Sequence, residues 1–293
     1  MAISKVSTPK VATPKAPAAP AKASTPAAPA KTAAAGWAAG AGKAQSLKIT
    51  HASIGDGPKL SDKISVPKGF TAEKKELSLK DSDTVHGTKV SIEQDGTQLS
   101  VSGPGGKKFS IGSNEASLKQ MQSEWRTEVD AAKKAPKEEW MQLEWSSSNG
   151  VMGAGTAGKM FSVSEGGSYY SGGAHPSNGS AISTYDARTG QQVKLDSLLS
   201  PKQMNDLVND ISARLNKMKG PEDIGPESFG AGGDKAQLRD TINSNFALST
   251  DKSGKVKIDI AWESGVHALG GLMAHFSVDA PTDQQFKTAI GAE

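Results

Sequence analysis

Cysteine is absent from all 293 residues, which excludes disulfide frameworks, thiolate metal sites and cysteine nucleophiles, and leaves the redox compartment open. Aromatic residues are only 5% and the apolar set only 35%, low for a chain long enough to bury a sizeable core. A substantial part is therefore expected to be tail or loop. No stretch approaches the roughly 18 consecutive apolar residues of a membrane span. The start, Met1-Ala2-Ile3-Ser4-Lys5, opens no apolar secretory leader. These absences predict a chain made in the cytoplasm, with export by a route other than the Sec signal still open.

Acids are missing from residues 1–45, which hold Lys5, Lys10, Lys15, Lys22, Lys31 and Lys43. The arm is therefore +6 within a chain of +3, and the rest is −3. Its prolines deny the backbone donors that helices and sheets require, and Ala and Lys offer little to bury. It reads as a disordered, semi-extended segment with Trp37 as its one large apolar group. Two roles stay open: a solubilising linker, or a basic tail that neutralises nucleic-acid phosphates.

Beyond the arm, strand and helix signals alternate. Val90 and Ile92 before Asp95-Gly96, with Leu99 and Val101 after it, predict a tight hairpin. Phe109 and Ile111 continue as a short strand. Leu118, Met121, Trp125 and Val129 recur at helical spacing behind Ser113 as cap, and Pro136 stops them. Trp140, Leu143 and Trp145 begin a strand, and Met160, Phe161 and Val163 another. Ile182, Tyr185, Val193 and Leu195 bracket a second hairpin at Thr189-Gly190. The best-signed helix spans 201–219: Ser200 caps it, Pro201 opens it, Gln203 completes a capping box, and Met204, Leu207, Val208, Ile211, Leu215 and Met218 form one stripe. A shorter helix near 235–245, a hairpin across Ser253-Gly254, a strand through Phe276 and a helix signed by Thr282 and Gln285 close the chain. The sum is α+β, a largely antiparallel sheet with packed helices behind a disordered arm.

Candidate chemistry is sparse. Gly153-Ala154-Gly155-Thr156-Ala157-Gly158-Lys159 begins like a phosphate loop, but Met160 stands where Ser or Thr would hold magnesium, and the text beyond reads as strand. A flexible hairpin loop is expected instead. His175, His267 and His275 have no metal-ligand spacing, and His275, opposite Phe276 in its strand, is expected to be exposed. No Gly-x-Ser-x-Gly elbow presents a serine nucleophile, and Glu138-Glu139 reads as solvated surface. No enzyme, metal or cofactor is expected.

One stretch is specific. Tyr170-Ser171-Gly172-Gly173-Ala174-His175-Pro176 is followed by a strand ending at Tyr185-Asp186, by Gly190, by Leu195, Asp196, Leu198 and Leu199, and then by the long helix. That order, from about Met160 to Ala280, resembles the C-terminal domain of RsiV-like proteins, lysozyme-sensing anti-sigma factors and related bacterial envelope proteins of unknown role. Trp262 and His267 stand where that family's closing segment carries tyrosines, and Gly265, Gly270 and Gly271 lead on into a strand. The resemblance implies an extracellular sensor fold that grips a protein such as lysozyme or a cell-wall glycan. It does not transfer the deacetylase activity of some relatives, whose Asp and His-x-x-x-His metal motif is absent. The expected layout is an arm at 1–45, an α+β half at 46–159 and an RsiV-like domain at 160–293. The expected function is non-enzymatic binding through Tyr170, Gly172, Gly173, His175, Pro176, Trp262 and His267. From the residues alone, the glycine loop is either a ligand contact or a structural corner.

Overall fold

The computed structural model describes residues 45–137, 143–172, 175–220, 225–230, 233–264 and 271–292. The arm through residue 44, Trp140, Glu138-Glu139, Gly173 and His267 lie outside them.

Strand β1 (Lys48–Gly55) precedes a long ribbon of β2 (Thr71–Val85) and β3 (Thr88–Ser102), then short β4 (Lys108–Gly112) and helix α1 (Glu115–Lys134). Strands β5 (Trp145–Ala157), β6 (Met160–Ser171) and β7 (Ser177–Asp186) come next. Helices α2 (Pro201–Leu215) and α3 (Lys235–Ser244) lead to β8 (Phe246–Thr250), β9 (Val256–Glu263), β10 (Met273–Asp279) and α4 (Gln284–Ile290). The architecture is α+β, in two sheets. One runs β2-β3-β5-β6-β7 with β4 also beside β3, and the other runs β1-β10-β9-β8. Pairing is antiparallel throughout except between β3 and β5. The first strand thus pairs with the last, and each sheet draws strands from both sides of residue 160.

The hairpin expected at Asp95-Gly96 is not there. β3 runs straight through both residues, and the turn falls at His86-Gly87, where φ is +48° and +84°. Gly96 serves packing instead: a Cβ on it would stand 2.5 Å from Ser113 Oγ and 2.6 Å from Ser113 Cβ, against the entry to α1. The glycine lets the chain before the helix lie on the strand. Beneath α1, Trp125 and Val129 pack on Val85, Val90 and Ile92, and the Trp125 indole N–H donates to the Leu143 carbonyl at 2.9 Å. The helix is capped by Asn114 rather than Ser113, in a reciprocal box with Ser117. The α4 cap is Asp283, one residue past the expected Thr282, whose hydroxyl bonds Gln45 Oε1. Helix α2 has the expected Ser200–Gln203 box and ends at Leu215, before the expected 219.

Helices α2, α3 and α4 bury one face of the four-stranded sheet, with Met204, Leu207, Ile211, Ile242 and Phe286 packed with Phe246, Ile258, Ile260 and Phe276. The two sheets meet through a hydrogen-bond relay. The Leu248 N–H donates to Ser162 Oγ (2.8 Å), Ser162 and Thr184 hydroxyls lie 2.8 Å apart, and Thr184 Oγ1 donates to the Phe246 carbonyl (2.7 Å). Side chains of β6 and β7 thereby satisfy the outer backbone edge of β8, which burial would otherwise leave unpaired.

Candidate functional site

The specific loop of the sequence is the connection between β6 and β7. These strands pair without a register break from Met160↔Asp186 to Tyr169↔Ser177. Gly172 sits at φ +81°, a left-handed geometry that Cβ-bearing residues resist. His175 and Pro176 are exposed, and Tyr170 is half-buried. At the root of the loop, Trp145 and Tyr169 are half-exposed, with rings edge-on at 6.5 Å. Sequence reasoning places Trp145 only as the start of a strand. The antiparallel β5–β6 pairing, which sets Trp145 opposite Ser171, brings it here.

Trp262 is buried at 8% exposure. Its ring stacks on Phe276 at 5.8 Å, and its indole N–H donates to the Phe229 carbonyl at 3.2 Å. The same side chain walls a cavity of about 410 Å³ that Glu227, Phe229, Asp234, Gln237 and Glu263 also line. Among the described residues that line it, none is basic. Asp234 is engaged as the cap of α3, accepting from Ala236 N at 2.8 Å.

Loop and cavity lie at one end of the molecule. Ser180 Oγ donates to Glu263 Oε1 at 3.0 Å, Ile182 packs with Ala261 and Met273, and Thr184 reaches Phe246, the partner of Ile260. Tracing β7 back towards Ser177 therefore traces β9 forward towards Glu263. The strand ends that carry the two stretches singled out in the sequence converge, and Glu263 links them. Glycines 173 and 265 and His267 fall outside the described residues.

His275 is not exposed, as its strand position implied, but 8% exposed. Its ring lies 5.2 Å from that of His51, and its Nε2 is 3.3 Å from Asp259 Oδ1 and 3.4 Å from Ser277 Oγ. Ser277 also donates to Asp259. The carboxylate comes from the neighbouring strand β9, a relation invisible to an i+3 or i+4 search. A Ser-His-Asp relay needs acid and serine on opposite ring nitrogens, and here both contacts fall on one. Burial pushes the Asp259 carboxyl up, but the bonds from His275 and Ser277 outweigh it and leave it below its ordinary range.

On the other face of β6, Tyr185 OH donates to Glu165 Oε1 at 3.3 Å. Burial raises the Glu165 carboxyl, only partly opposed by this bond, and burial also raises the Tyr185 phenol. A carboxyl raised by folding contributes stability in full below its unfolded value, and loses it as pH rises through its folded value. Glu165→Gln keeps an acceptor without the charge. The melting temperature of this variant is expected to match wild type near pH 4, which is about the unfolded carboxyl value, and to exceed it at pH 7 in parallel thermal melts.

The glycine run 153–159 is strand β5 as far as Ala157, with a register shift between Gly153 and Gly155, and only Gly158-Lys159 turn. It is thus a tight turn on a strand rather than a flexible loop. Lys159 leads into β6, and its N–H donates to the Ile290 carbonyl at 2.7 Å. Among the described residues no group of three or more His, Asp or Glu converges as a metal site, and no helix is long and apolar enough to cross a membrane.

No family model matches the chain, and no curated protein matches it. Similarity is found to the solved structure of a DUF3298 family member from Bacteroides fragilis, at 13% identity and TM-score 0.47, covering 73% of this chain and 91% of that one. A DUF3298 family protein from Pseudomonas aeruginosa is also similar, at 13% identity and TM-score 0.30, covering 74% of this chain and 96% of that one.

Proposed function

We propose that the folded body is a non-enzymatic binding module of the RsiV-like type, recognising a lysozyme-like protein or a cell-wall glycan. The convergence of the β6–β7 loop with the Trp262–Glu263 end of β9 carries this reading. It supports one composite surface: exposed His175 and Pro176, the half-exposed Trp145–Tyr169 pair, and an acid-lined cavity behind Glu263. Half-exposed aromatic faces serve sugar rings and protein side chains alike. The carboxylates suit a ligand that brings basic or hydrogen-bond-donating groups. The cavity is of the size that small ligands and anchoring side chains occupy. Within this surface His175 and Pro176 are direct contacts, Gly172 sets the loop's geometry, and Trp262 supports the cavity wall from inside.

Replacing His175 and Tyr170 together by Ala is expected to weaken binding of lysozyme or peptidoglycan by roughly tenfold or more, as loss of central contacts does, with the melting temperature nearly unchanged. Binding by titration calorimetry and melting by circular dichroism are the readouts. A large loss of melting temperature with affinity retained would return the loop to a structural corner.

A further inference from the structure

The β5–β6 hairpin starts at the candidate site, where Trp145 pairs with Ser171, and closes at its far end, where Ala157 pairs with Met160. The glycine run lies at this far end and lets β5 pass close to two other backbones. A Cβ on Gly153 would stand 2.6 Å from the Lys63 carbonyl oxygen, and one on Gly155 would stand 2.5 Å from that of Leu248. Ser61 and Gly153 exchange both backbone bonds, at 2.9 and 2.7 Å, which ties the connection between β1 and β2 to this edge. That connection, the end of β5 and the end of β8 enclose a cleft of about 370 Å³, lined among others by Ser65, Val66, Lys68, Thr156, Ala157 and Thr250.

Some polar groups of the cleft are already engaged. Thr156 Oγ1 donates to the Met160 carbonyl at 2.8 Å, Thr250 Oγ1 to the Thr156 carbonyl at 3.1 Å, and Ser249 Oγ to Asp259 Oδ2 at 3.4 Å. Three donors are left over. The Lys68 ammonium and the Ser65 hydroxyl have no hydrogen-bond or ion-pair partner among the described residues. The third is the Thr156 N–H: its carbonyl turns away from β6 to meet Thr250, and in an antiparallel strand the N–H turns the same way. Among the described residues that line the cleft, none is acidic. Asp251, next to Thr250, accepts from the Ser253 and Lys255 N–H groups of its own turn at 2.8 and 3.0 Å, and Asp259 is held by His275 and Ser277. Lys159, the lysine of the sequence motif, lies elsewhere: its Cγ would stand 2.7 Å from a Cβ on Gly291.

We propose that this cleft binds a small phosphorylated sugar, its phosphoryl group held by Lys68, Ser65 and the Thr156 N–H. A point-like ammonium with two separate neutral donors suits the spread oxygens of a tetrahedral anion, whereas a planar carboxylate is matched best by a paired fork of donors. The glycine run contributes a single strand amide where a phosphate loop contributes the amides of a helix N-terminus, so the ligand carries one phosphoryl group rather than three. The volume leaves room beyond that group and falls at the small end of ligand pockets. Val66, Pro67 and Ala157 give this room an apolar side, and Thr250 Oγ1 keeps lone pairs for a sugar hydroxyl.

Titration calorimetry of the full chain with glucose 6-phosphate, glucose and inorganic phosphate tests the assignment. Glucose 6-phosphate is expected to bind, inorganic phosphate to bind more weakly, and glucose not to bind. Lys68 is exposed, so Lys68→Glu and Lys68→Arg are expected to leave the thermal melt unchanged. Lys68→Glu is expected to weaken the ester by roughly tenfold or more, as loss of a charge-assisted bond does, and Lys68→Arg to retain it. Lys119→Glu makes the same change of charge on the exposed face of α1 and is expected to have no effect. Absence of glucose 6-phosphate binding overturns the proposal, as does binding that Lys68→Glu leaves intact. Equal weakening by Lys119→Glu would reduce the effect to diffuse charge, and equal binding of ester and inorganic phosphate would overturn the assignment to a sugar.

Discussion

Trp262→Ala is expected to cost about 3–5 kcal/mol of stability, the range for removing a large buried aromatic. The indole lies at 8% exposure, stacks on Phe276 and donates to the Phe229 carbonyl. Truncation removes its apolar area, enlarges the neighbouring cavity of about 410 Å³ and leaves that carbonyl without its donor. Trp262→Phe keeps most of the ring and is expected to lose only the part due to the hydrogen bond, about 1 kcal/mol. Urea unfolding of both variants separates the two contributions. Equal stability of wild type and Trp262→Ala would mean that the stacked core position is wrong.

The second large effect is expected at the junction of the two sheets. Ser162→Ala leaves the Leu248 N–H buried without an acceptor, at a cost of about 1–3 kcal/mol. Thr184→Val removes the donor to the Phe246 carbonyl, and the two hydroxyls also bond each other. The relay runs N–H to hydroxyl to hydroxyl to carbonyl, so breaking it anywhere unsettles its neighbours. The double variant is expected to lose less than the two singles together, with a coupling of at least about 0.5 kcal/mol. Strict additivity in a double-mutant cycle would show that the hydroxyls act separately.

Local order is largely legible in the sequence, and long-range order is not. The Ser200-Pro201-Gln203 start of α2 names its own cap because the motif acts within one turn. The β8–β9 hairpin is readable from alternation around Ser253-Gly254. Asp95-Gly96 misleads because the same dipeptide that makes a tight turn also makes room: what needs the glycine is Ser113, 17 positions on in the chain. β2 shows no strand signal because an edge strand can be nearly all polar; its charges pair with α1 and β3, as Asp81 with Arg126 and Lys80 with Glu93. His275 reads as exposed in the sequence because one strand's alternation cannot say whether its polar face is covered, and its partner Asp259 arrives from the next strand. In the candidate site, the loop announces itself through its glycines and proline. Its neighbours Trp145 and Glu263 come only with the sheet order and the crossing of β7 over β9.

The sharpest test of the binding reading is capture of lysozyme, isolated peptidoglycan and DNA, in separate assays, by the full chain and by a chain lacking residues 1–44, which keeps Gln45 and its bonds to Gln203 and Thr282. Both chains are expected to retain lysozyme or peptidoglycan equally, because the surface belongs to the folded body. Retention of DNA by the full chain alone, with neither envelope ligand held, would overturn that reading and assign the function to the basic arm.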